Sequence, residues 1–318
     1  MDAKKRRVVF MGTPEFAVSA LESVLNAGYE VVGVVTVPDR QSGRGLKVCH
    51  SAVKEYALAH NLHLMQPEKL RDEIFLEELK SLDADVFVVV AFRMLPEVVW
   101  SMPRMGTFNL HASLLPQYRG AAPINWAIIN GEKKSGVTTF LLNDKIDEGK
   151  ILMQRQIAIN DDDTAGTLHD KLAEAGAELT VRTLDALFDG SIEARSQEQP
   201  ERMMPAPKIF KTDCAIDWHK GKNEIRNFVR GLCPYPSATT TMLNERGDEI
   251  SLKIFEVSTE EGDGGNVGEI ITDQKSHIKI SVNDGFVSII SLQMSGKKRL
   301  SVNEFLRGYN VKNWKLKI

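Results

Sequence analysis

VVFMGTPEF, at Val8–Phe16, is the stretch that decides the fold of the first half of the chain. The apolar run from Val8 to Gly12 predicts a buried first strand. Thr13 and Pro14 then read as the cap and the first residue of a helix. A hydroxyl can accept from the first turn, and proline has no N–H that needs a partner there. A strand that leads directly into a helix predicts a parallel sheet wrapped by helices.

Short apolar runs and helical patterns continue to alternate as far as residue 190. Further strands are predicted near residues 30–37, 85–92, 106–110 and 136–142. Helices are predicted near residues 51–60, 68–81 and 121–130, and a longer one at 164–188. Gly190 should end this last helix, because glycine accepts the left-handed backbone that commonly follows a helix. The predicted fold class is therefore α/β, with a doubly wound, mostly parallel, Rossmann-like sheet.

The residue composition changes after the long helix, and helical periodicity ends there. Three prolines without periodicity predict a linker within residues 191–207. We therefore expect one domain at 1–190 and a second at 208–318. Strand patterns dominate the second region and predict an OB-like β-barrel.

Local signals within this second region mark individual elements. A short helix near 223–230 should end at Gly231. Asn283-Asp284-Gly285 predicts a hairpin turn. Ser301 with Glu304 predicts a capping box for a last short helix.

Composition sets the outer limits of the interpretation. A chain of 318 residues exceeds the usual size of one hydrophobic core, which favours two domains. The net charge of −3 gives no overall sign of nucleic-acid binding. From Lys208 onward the chain has 17 Lys and Arg against 14 Asp and Glu. This local excess suits a tail that meets a polyanion, although ordinary variation in surface charge also produces it.

The cysteines and the apolar runs predict the cellular compartment of the protein. Cys49, Cys214 and Cys233 are widely spaced and form no CxxC pair, so we expect no disulfide, no metal site and a cytoplasmic location. The basic opening MDAKKRR is followed by a short apolar stretch that ends at Gly12, which predicts no secretion signal. No apolar run approaches the ~20 residues that cross a bilayer, so we expect no membrane association.

Several common enzyme classes lack their motifs. The first turn, GTPEF, has one glycine, whereas a dinucleotide-binding turn needs further glycines around the pyrophosphate. The chain has no GxxxxGK[ST] phosphate loop and no GxSxG nucleophile turn. An NAD-linked oxidoreductase, a P-loop enzyme and a serine hydrolase are therefore not expected.

The segment GTFNLHASLLPQYRGAAP, at Gly106–Pro123, carries the chemistry. Asn109 and His111 are two apart at the end of a predicted strand, so their side chains should project to the same side. Ligands bind at the carboxyl ends of parallel strands. An amide can hold an oxyanion and an imidazole can exchange a proton, a pair that suits attack on a carbonyl-type carbon. No serine or cysteine nucleophile is needed if the substrate brings its own amine.

A carboxylate should orient and charge the imidazole. LLNDKIDEGKIL, at Leu141–Leu152, offers Asp144, Asp147 and Glu148, of which we select Asp147. Asn and His at a strand end are also common turn formers, and acids near glycine are common in solvated loops. The chemistry alone leaves open a carbonyl-directed transferase or a hydrolase.

NLHASLLPQYRGAAP followed by IDEGKIL closely resembles the formyltransferases that use 10-formyltetrahydrofolate, whose pattern is Asn-x-His-x-Ser-Leu-Leu-Pro and a later aspartate. FMGTPEFA, PDRQSGRG, AIDW and PYP narrow the resemblance to members that act on initiator tRNA, and the likeness runs nearly end to end. It implies formyl transfer from 10-formyltetrahydrofolate to the amino group of a methionyl initiator tRNA. We also expect a monomer that needs no metal.

The resemblance further implies a role for each matching position. Asn109 would polarise the formyl oxygen, His111 would move the proton, and Asp147 would hold the imidazole in its charged form. The folate site would be lined by Ser113, Leu114, Leu115 and Pro116, and the pterin wall by Phe92, Arg93 and Leu95 within Val90–Leu95. Arg93 stands where many relatives have glycine, so this wall can differ here.

The tRNA would be contacted by Arg40, Arg44, Lys47, Lys208 and Lys211. The first three lie among glycines, a pattern that by itself suits phosphates or unpaired bases and equally suits a plain solvated loop. Two other functions stay open. One is formylation of a small amine, such as a nucleotide sugar or a purine precursor. The other is RNA binding without catalysis on a formyltransferase-like fold.

Overall fold

The computed structural model describes residues 6–42 and 47–318. Contacts between residues divide the chain into two compact units. The N-terminal unit contains Met1–Gly120, Ser135–Ala158 and His169–Pro205, and the C-terminal unit contains Ala121–Lys134, Ile159–Leu168 and Ala206–Ile318. Two short segments from within residues 1–190 therefore belong to the C-terminal unit.

The N-terminal unit is built on a seven-stranded sheet. Its strands are β1 (Arg7–Gly12), β2 (Glu30–Val35), β5 (Leu64–Met65), β6 (Val86–Val90), β7 (Thr107–His111), β8 (Lys134–Leu141) and β9 (Ile151–Ala158). They lie in the order β5-β2-β1-β6-β7-β8-β9, and a separate short ribbon pairs β3 (Arg40–Ser42) with β4 (Lys47–Cys49). Strands β5, β2, β1, β6 and β7 are parallel, and β8 runs antiparallel to β7. The predicted doubly wound, mostly parallel fold is confirmed.

Among the described residues, a helix forms in each region where the sequence predicts one, and a further short helix at Glu97–Trp100 was not predicted. The α-helices are α1 (Glu15–Asn26), α2 (Ala52–Ala59), α3 (Glu73–Ser81), α4 (Glu97–Trp100), α5 (Pro123–Ile129), α6 (Ala165–Asp189), α7 (Lys222–Leu232) and α8 (Val302–Gly308). Gly190 follows α6 with a φ of 68°, as predicted for a left-handed stop. The expected cap at Thr13 is wrong: Pro14 is the N-cap, because its carbonyl accepts from Ala17 N at 2.9 Å.

Strand β1 lies in the middle of the sheet and is covered on both faces. Val8, Val9, Phe10 and Met11 are all fully buried, which explains why this strand is a continuous apolar run without alternation. The chain adds β2 on one side of β1 and later β6 on the other. Ligands bind at such a change of direction, outside the carboxyl ends of the strands. β7 lies one strand beyond it.

The C-terminal unit contains an antiparallel sheet that forms a nearly closed barrel, which confirms the predicted OB-like domain. Its strands are β10 (Ala238–Leu243), β11 (Glu249–Glu260), β12 (Ile270–Thr272), β13 (Ile278–Val282), β14 (Gly285–Met294), β15 (Arg299–Ser301) and β16 (Lys315–Leu316). The predicted turn joins β13 to β14. The predicted capping box is also present, since Ser301 Oγ accepts from Glu304 N at 3.3 Å.

Gly231 has a different role from the one predicted. Helix α7 continues through it to Leu232 instead of ending there. A Cβ at Gly231 would lie 2.6 Å from Ile129 Cγ1 and 3.1 Å from Asn125 O. The glycine therefore permits close packing of α7 on α5 within the C-terminal unit. Among the described residues, no helix is both long and apolar enough to span a bilayer.

Candidate active site

Strand β7 positions two of the predicted residues at the ligand-binding edge of the sheet. Asn109 lies opposite Val89 of β6 and Phe140 of β8, and His111 lies opposite Thr138. Because side chains alternate along a strand, Asn109 and His111 project from the same face. His111 is the last residue of β7, so its imidazole lies where the loop over residues 112–122 begins.

The imidazole of His111 is buried, and each ring nitrogen faces an oxygen atom. Nε2 lies 2.9 Å from the carbonyl oxygen of Tyr118, and Nδ1 lies 3.8 Å from Asp147 Oδ2. A carbonyl oxygen only accepts hydrogen bonds, so Nε2 must carry a proton. Nδ1 is the ring nitrogen that faces the carboxylate.

Asp147 is the acid that the fold brings to this imidazole. Its Oδ2 accepts a hydrogen bond from Gly120 N at 2.9 Å, and its side chain is only 14% exposed. Of the other two acids considered, Glu148 pairs with Arg119 at 3.1 Å and Asp144 is exposed. Asp147 has a φ of 54°, a conformation that non-glycine residues adopt rarely and that often accompanies functional sites.

Asn109 holds a buried atom without a partner. Its Oδ1 is buried, and no residue in the described part of the chain donates a hydrogen bond to it. A buried acceptor without a donor costs about 1–3 kcal/mol, so such an atom in a native protein calls for an explanation. An N–H of a bound substrate would satisfy this oxygen.

The loop predicted to line a folate site is partly internal. Ser113 is fully buried, and its hydroxyl donates to Gln117 O at 2.7 Å. Leu115 is also buried, and its N–H donates to Thr138 Oγ1 at 3.2 Å. These two residues hold the loop together, whereas Leu114 and Pro116 are half-buried and retain surface for a ligand.

The predicted pterin wall contains a cation fixed by backbone groups. Arg93 Nη1 donates to Glu68 O at 2.8 Å, and Nη2 donates to Pro67 O. Burial, together with the charge of Arg40, lowers the pKa of Arg93. Arg93 thus ties the strand β6 exit to the loop at residues 67–68. Phe92 is half-buried beside it, and Leu95 lies within the core.

The predicted tRNA contacts are distributed over both units. In the N-terminal unit, Arg40 is exposed at the start of β3, Arg44 lies outside the described residues, and Lys47 is described only as backbone in β4. In the C-terminal unit, Lys208 and Lys211 are exposed, and Lys208 Nζ lies 5.3 Å from the centre of the Phe210 ring. Phe210 is 57% exposed.

Sequence reasoning missed the groups that support the imidazole and the carboxylate. The Tyr118 carbonyl and the Gly120 N–H are main-chain atoms, which sequence patterns do not reveal. Gln197 was assigned only to a linker, yet it donates to the carbonyl oxygens of Asp147 and Gly149. The described residues contain no cluster of three or more His, Cys, Asp or Glu side chains that could hold a metal ion.

Two family models match the chain. One, described as formyl transferase, covers residues 5–184, and the other, described as formyl transferase C-terminal domain, covers residues 208–310. Over 315 residues, the chain is 52% identical to a methionyl-tRNA formyltransferase of Parabacteroides distasonis, across 97% of each protein. It is 50% identical to a methionyl-tRNA formyltransferase of Bacteroides thetaiotaomicron, across 98% of each.

Solved structures of similar fold share little sequence with the chain. An N-formyltransferase of Helicobacter canadensis, in complex with folinic acid and dTDP-3-aminofucose, matches with a TM-score of 0.65 and 21% identity over 93% of this chain and 99% of that one. HypX of Aquifex aeolicus, in complex with tetrahydrofolic acid, matches with a TM-score of 0.64 and 18% identity over 99% of this chain and 51% of that one. At these identities the likeness shows the fold alone.

Proposed function

The chain belongs to the formyl transferase family, and we propose that it transfers the formyl group of 10-formyltetrahydrofolate to the α-amino group of a methionyl initiator tRNA. Relatives that are about half identical over nearly their whole length carry the name methionyl-tRNA formyltransferase, which supports the acceptor. The observation that carries the reaction is the arrangement of Asn109, His111 and Asp147 at one edge of the sheet.

The donor supplies an activated formyl carbon, and the residues of this chain supply charge stabilisation and proton movement. The amide N–H of Asn109 donates to the formyl oxygen as the amine adds and that oxygen gains negative charge. A single such donor contributes about 3–4 kcal/mol to the transition state. The Oδ1 of Asn109, which has no donor among the described residues, accepts from an N–H of the incoming amine, and this orients the nucleophile.

His111 takes the proton that the amine loses, and it returns that proton to N10 of the folate as the bond between N10 and the formyl carbon breaks, so that tetrahydrofolate leaves. Its Nε2 stays protonated because it donates to the Tyr118 carbonyl, so the exchange takes place at Nδ1. The carboxylate of Asp147, 3.8 Å away, stabilises the positive charge that results. The Gly120 N–H fixes that carboxylate.

The remaining predicted contacts are part of the same proposal. Leu114, Pro116 and Phe92 line the folate, with the loop at residues 67–68 held in place by Arg93. The tRNA is held by Arg40, Arg44, Lys47, Lys208 and Lys211. Contacts of these cations with phosphates make tRNA binding weaken as salt increases. The enzyme works as a cytoplasmic monomer without a metal. Its catalytic domain spans residues 1–190, and its tRNA-binding domain spans 208–318.

An assay of formylation on acid gels tests the proposal directly. Wild-type protein is incubated with 10-formyltetrahydrofolate and methionyl initiator tRNA, beside His111→Ala. We expect formylated tRNA from the wild type and a rate lower by about 10²–10⁴-fold from the variant.

Parallel reactions offer a nucleotide-linked amino sugar or a purine-precursor amine in place of tRNA. Formylation of a small amine in the absence of tRNA use would replace the proposed acceptor. No activity of the wild type on any amine would favour a non-catalytic RNA-binding protein.

A further inference from the structure

The connecting segment, residues 191–205, follows α6 and bonds to the rest of the N-terminal unit at several points, although its sequence predicts a linker. Arg195 and Ile151 exchange two backbone hydrogen bonds, of 2.7 and 2.8 Å. Farther on, Met204 O accepts from Tyr118 N at 2.7 Å, and Met204 N donates to Gln117 Oε1 at 2.7 Å. Gln197 lies between these attachments and contacts the loop that carries Asp147.

All four hydrogen-bonding positions of the Gln197 amide are used. Nε2 donates to Asp147 O and to Gly149 O, at 2.8 Å each. Oε1 accepts from Arg119 Nη2 at 2.7 Å and from Arg119 Nε at 3.2 Å. A primary amide has two N–H groups and an oxygen with two lone pairs, so this environment saturates it. Such a network is specific to glutamine, because no other side chain of this length both donates twice and accepts twice.

The amide thereby joins the two loops that form the catalytic pair. Arg119 lies between Tyr118, whose carbonyl accepts from His111, and Gly120, whose N–H donates to Asp147. The same guanidinium pairs with Glu148 at 3.1 Å. Gln197 and Arg119 therefore link two segments. One contains Tyr118 and Gly120, whose main-chain groups bond to His111 and Asp147, and the other is the loop that carries Asp147.

Asp147 needs such support because of its backbone. A left-handed non-glycine residue is strained and persists only when its surroundings fix it. The Gln197 bonds fix the carbonyl of Asp147 itself and that of the residue two positions later. Without them the turn can relax, and the carboxylate then moves away from the imidazole.

We propose that Gln197 is a positioning residue for catalysis, which sets the distance between Asp147 Oδ2 and His111 Nδ1 by joining the Asp147 loop to Arg119. This inference rests on the proposed formyl transfer. Gln197 acts through Asp147 and has no contact with the reacting atoms. The connecting segment is in this respect part of the active-site support.

A double-mutant cycle tests the inference. Formylation of methionyl initiator tRNA is measured for wild type, Gln197→Ala, Asp147→Asn and the double variant, with KM for the folate donor and the melting temperature of each. A misplacement of about 1 Å can reduce rate by about 10²-fold. We expect Gln197→Ala to reduce kcat by about 10–100-fold with little change in the folate KM. In the Asp147→Asn background the same change should cost less than about threefold, because the coupled group is already absent.

Gln117→Ala is the matched control. Its amide also bonds to the connecting segment, at Arg202 O and Met204 N, but it has no bond to residues 147–149. Its effect on kcat should be the same in both backgrounds. If Gln197→Ala unfolds, Gln197→Glu replaces it, since the carboxylate keeps the Arg119 contact and loses both donors to the Asp147 loop.

The outcomes separate the two proposals. An inactive wild type would overturn the proposed function itself. An active wild type with an equal loss from Gln197→Ala in both backgrounds, or with no loss in either, would overturn the positioning role. A loss of kcat from Gln197→Ala that occurs only in the protein that keeps Asp147 supports the positioning role.

Discussion

The hairpin between β13 and β14 and the loop that follows β7 both reverse the chain, but different interactions hold them. The hairpin closes over two residues, and its register is fixed by pairing of Val282 with Gly285. The β7 loop is held by groups 23 to 87 residues away in sequence, from Thr138 to Met204. A short reversal can be encoded by its own residues, whereas the β7 loop depends on distant parts of the chain.

The largest effect should come from Asn109, the residue of β7 whose amide is proposed to contact the formyl oxygen. Asn109→Ala removes the proposed donor to the formyl oxygen, so we expect kcat to fall by about 10²–10³-fold. The melting temperature should change little, because Asn109 Oδ1 has no bond to lose within the described residues. Steady-state formylation kinetics and a thermal melt measure the two quantities. A rate within threefold of wild type would remove Asn109 from the mechanism.

Gly149→Ala probes the distant support of the loop. A Cβ at this position would overlap the carbonyl oxygen of Leu141, so the turn that carries Asp147 must shift. We expect kcat to fall by about 10²-fold, because a displacement of about 1 Å suffices for such a loss. Gly308→Ala, where a Cβ meets nothing within 4 Å, is the control. Equal kinetics of the two variants would show that the Asp147 turn tolerates displacement.

The smallest effect on activity should come from the hairpin. Gly285 has a φ of 140°, and a Cβ there would overlap the carbonyl oxygen of Glu260. We expect Gly285→Ala to lower the free energy of unfolding by about 1–3 kcal/mol, the usual cost of a strained backbone. Urea titration measures this, and kcat at saturating substrates should stay within about twofold of wild type.

Gly247→Ala separates strain from overlap in the same barrel. Its φ is 84°, but a Cβ there meets nothing within 4 Å. Gly247→Ala should therefore lower the free energy of unfolding less than Gly285→Ala does. A loss of kcat in Gly285→Ala well beyond twofold would show that the hairpin affects the active site.

Much of the fold could be predicted because its determinants are local. Buried central strands such as β1 are uniformly apolar, and Gly190, Ser301 and Gly285 mark ends and turns through their own conformational preferences. In the N-terminal unit, strands β3, β4, β5 and β9 were not predicted. Three of them have two or three residues, and β9 mixes polar and apolar residues.

Gly231 shows how local signals can mislead. Its sequence context suggested a helix end, but its function is to permit contact with a residue about a hundred positions earlier in the chain. Helix-ending and helix-packing glycines have the same composition signal, and only the neighbours in space distinguish them. The same is true of Arg93, whose bonds to residues 67 and 68 no sequence pattern indicates.

The sequence alone established the fold class, because strand periodicity is a property of short segments, and residue chemistry predicted three side chains for the site. The tertiary structure decided which oxygen atoms face the two ring nitrogens of His111, which acid lies beside that ring, and that Gln197 bonds to the loop of that acid. These depend on main-chain carbonyl and amide groups from separate loops. Every residue carries such groups, so their roles are fixed by position in space and not by residue type.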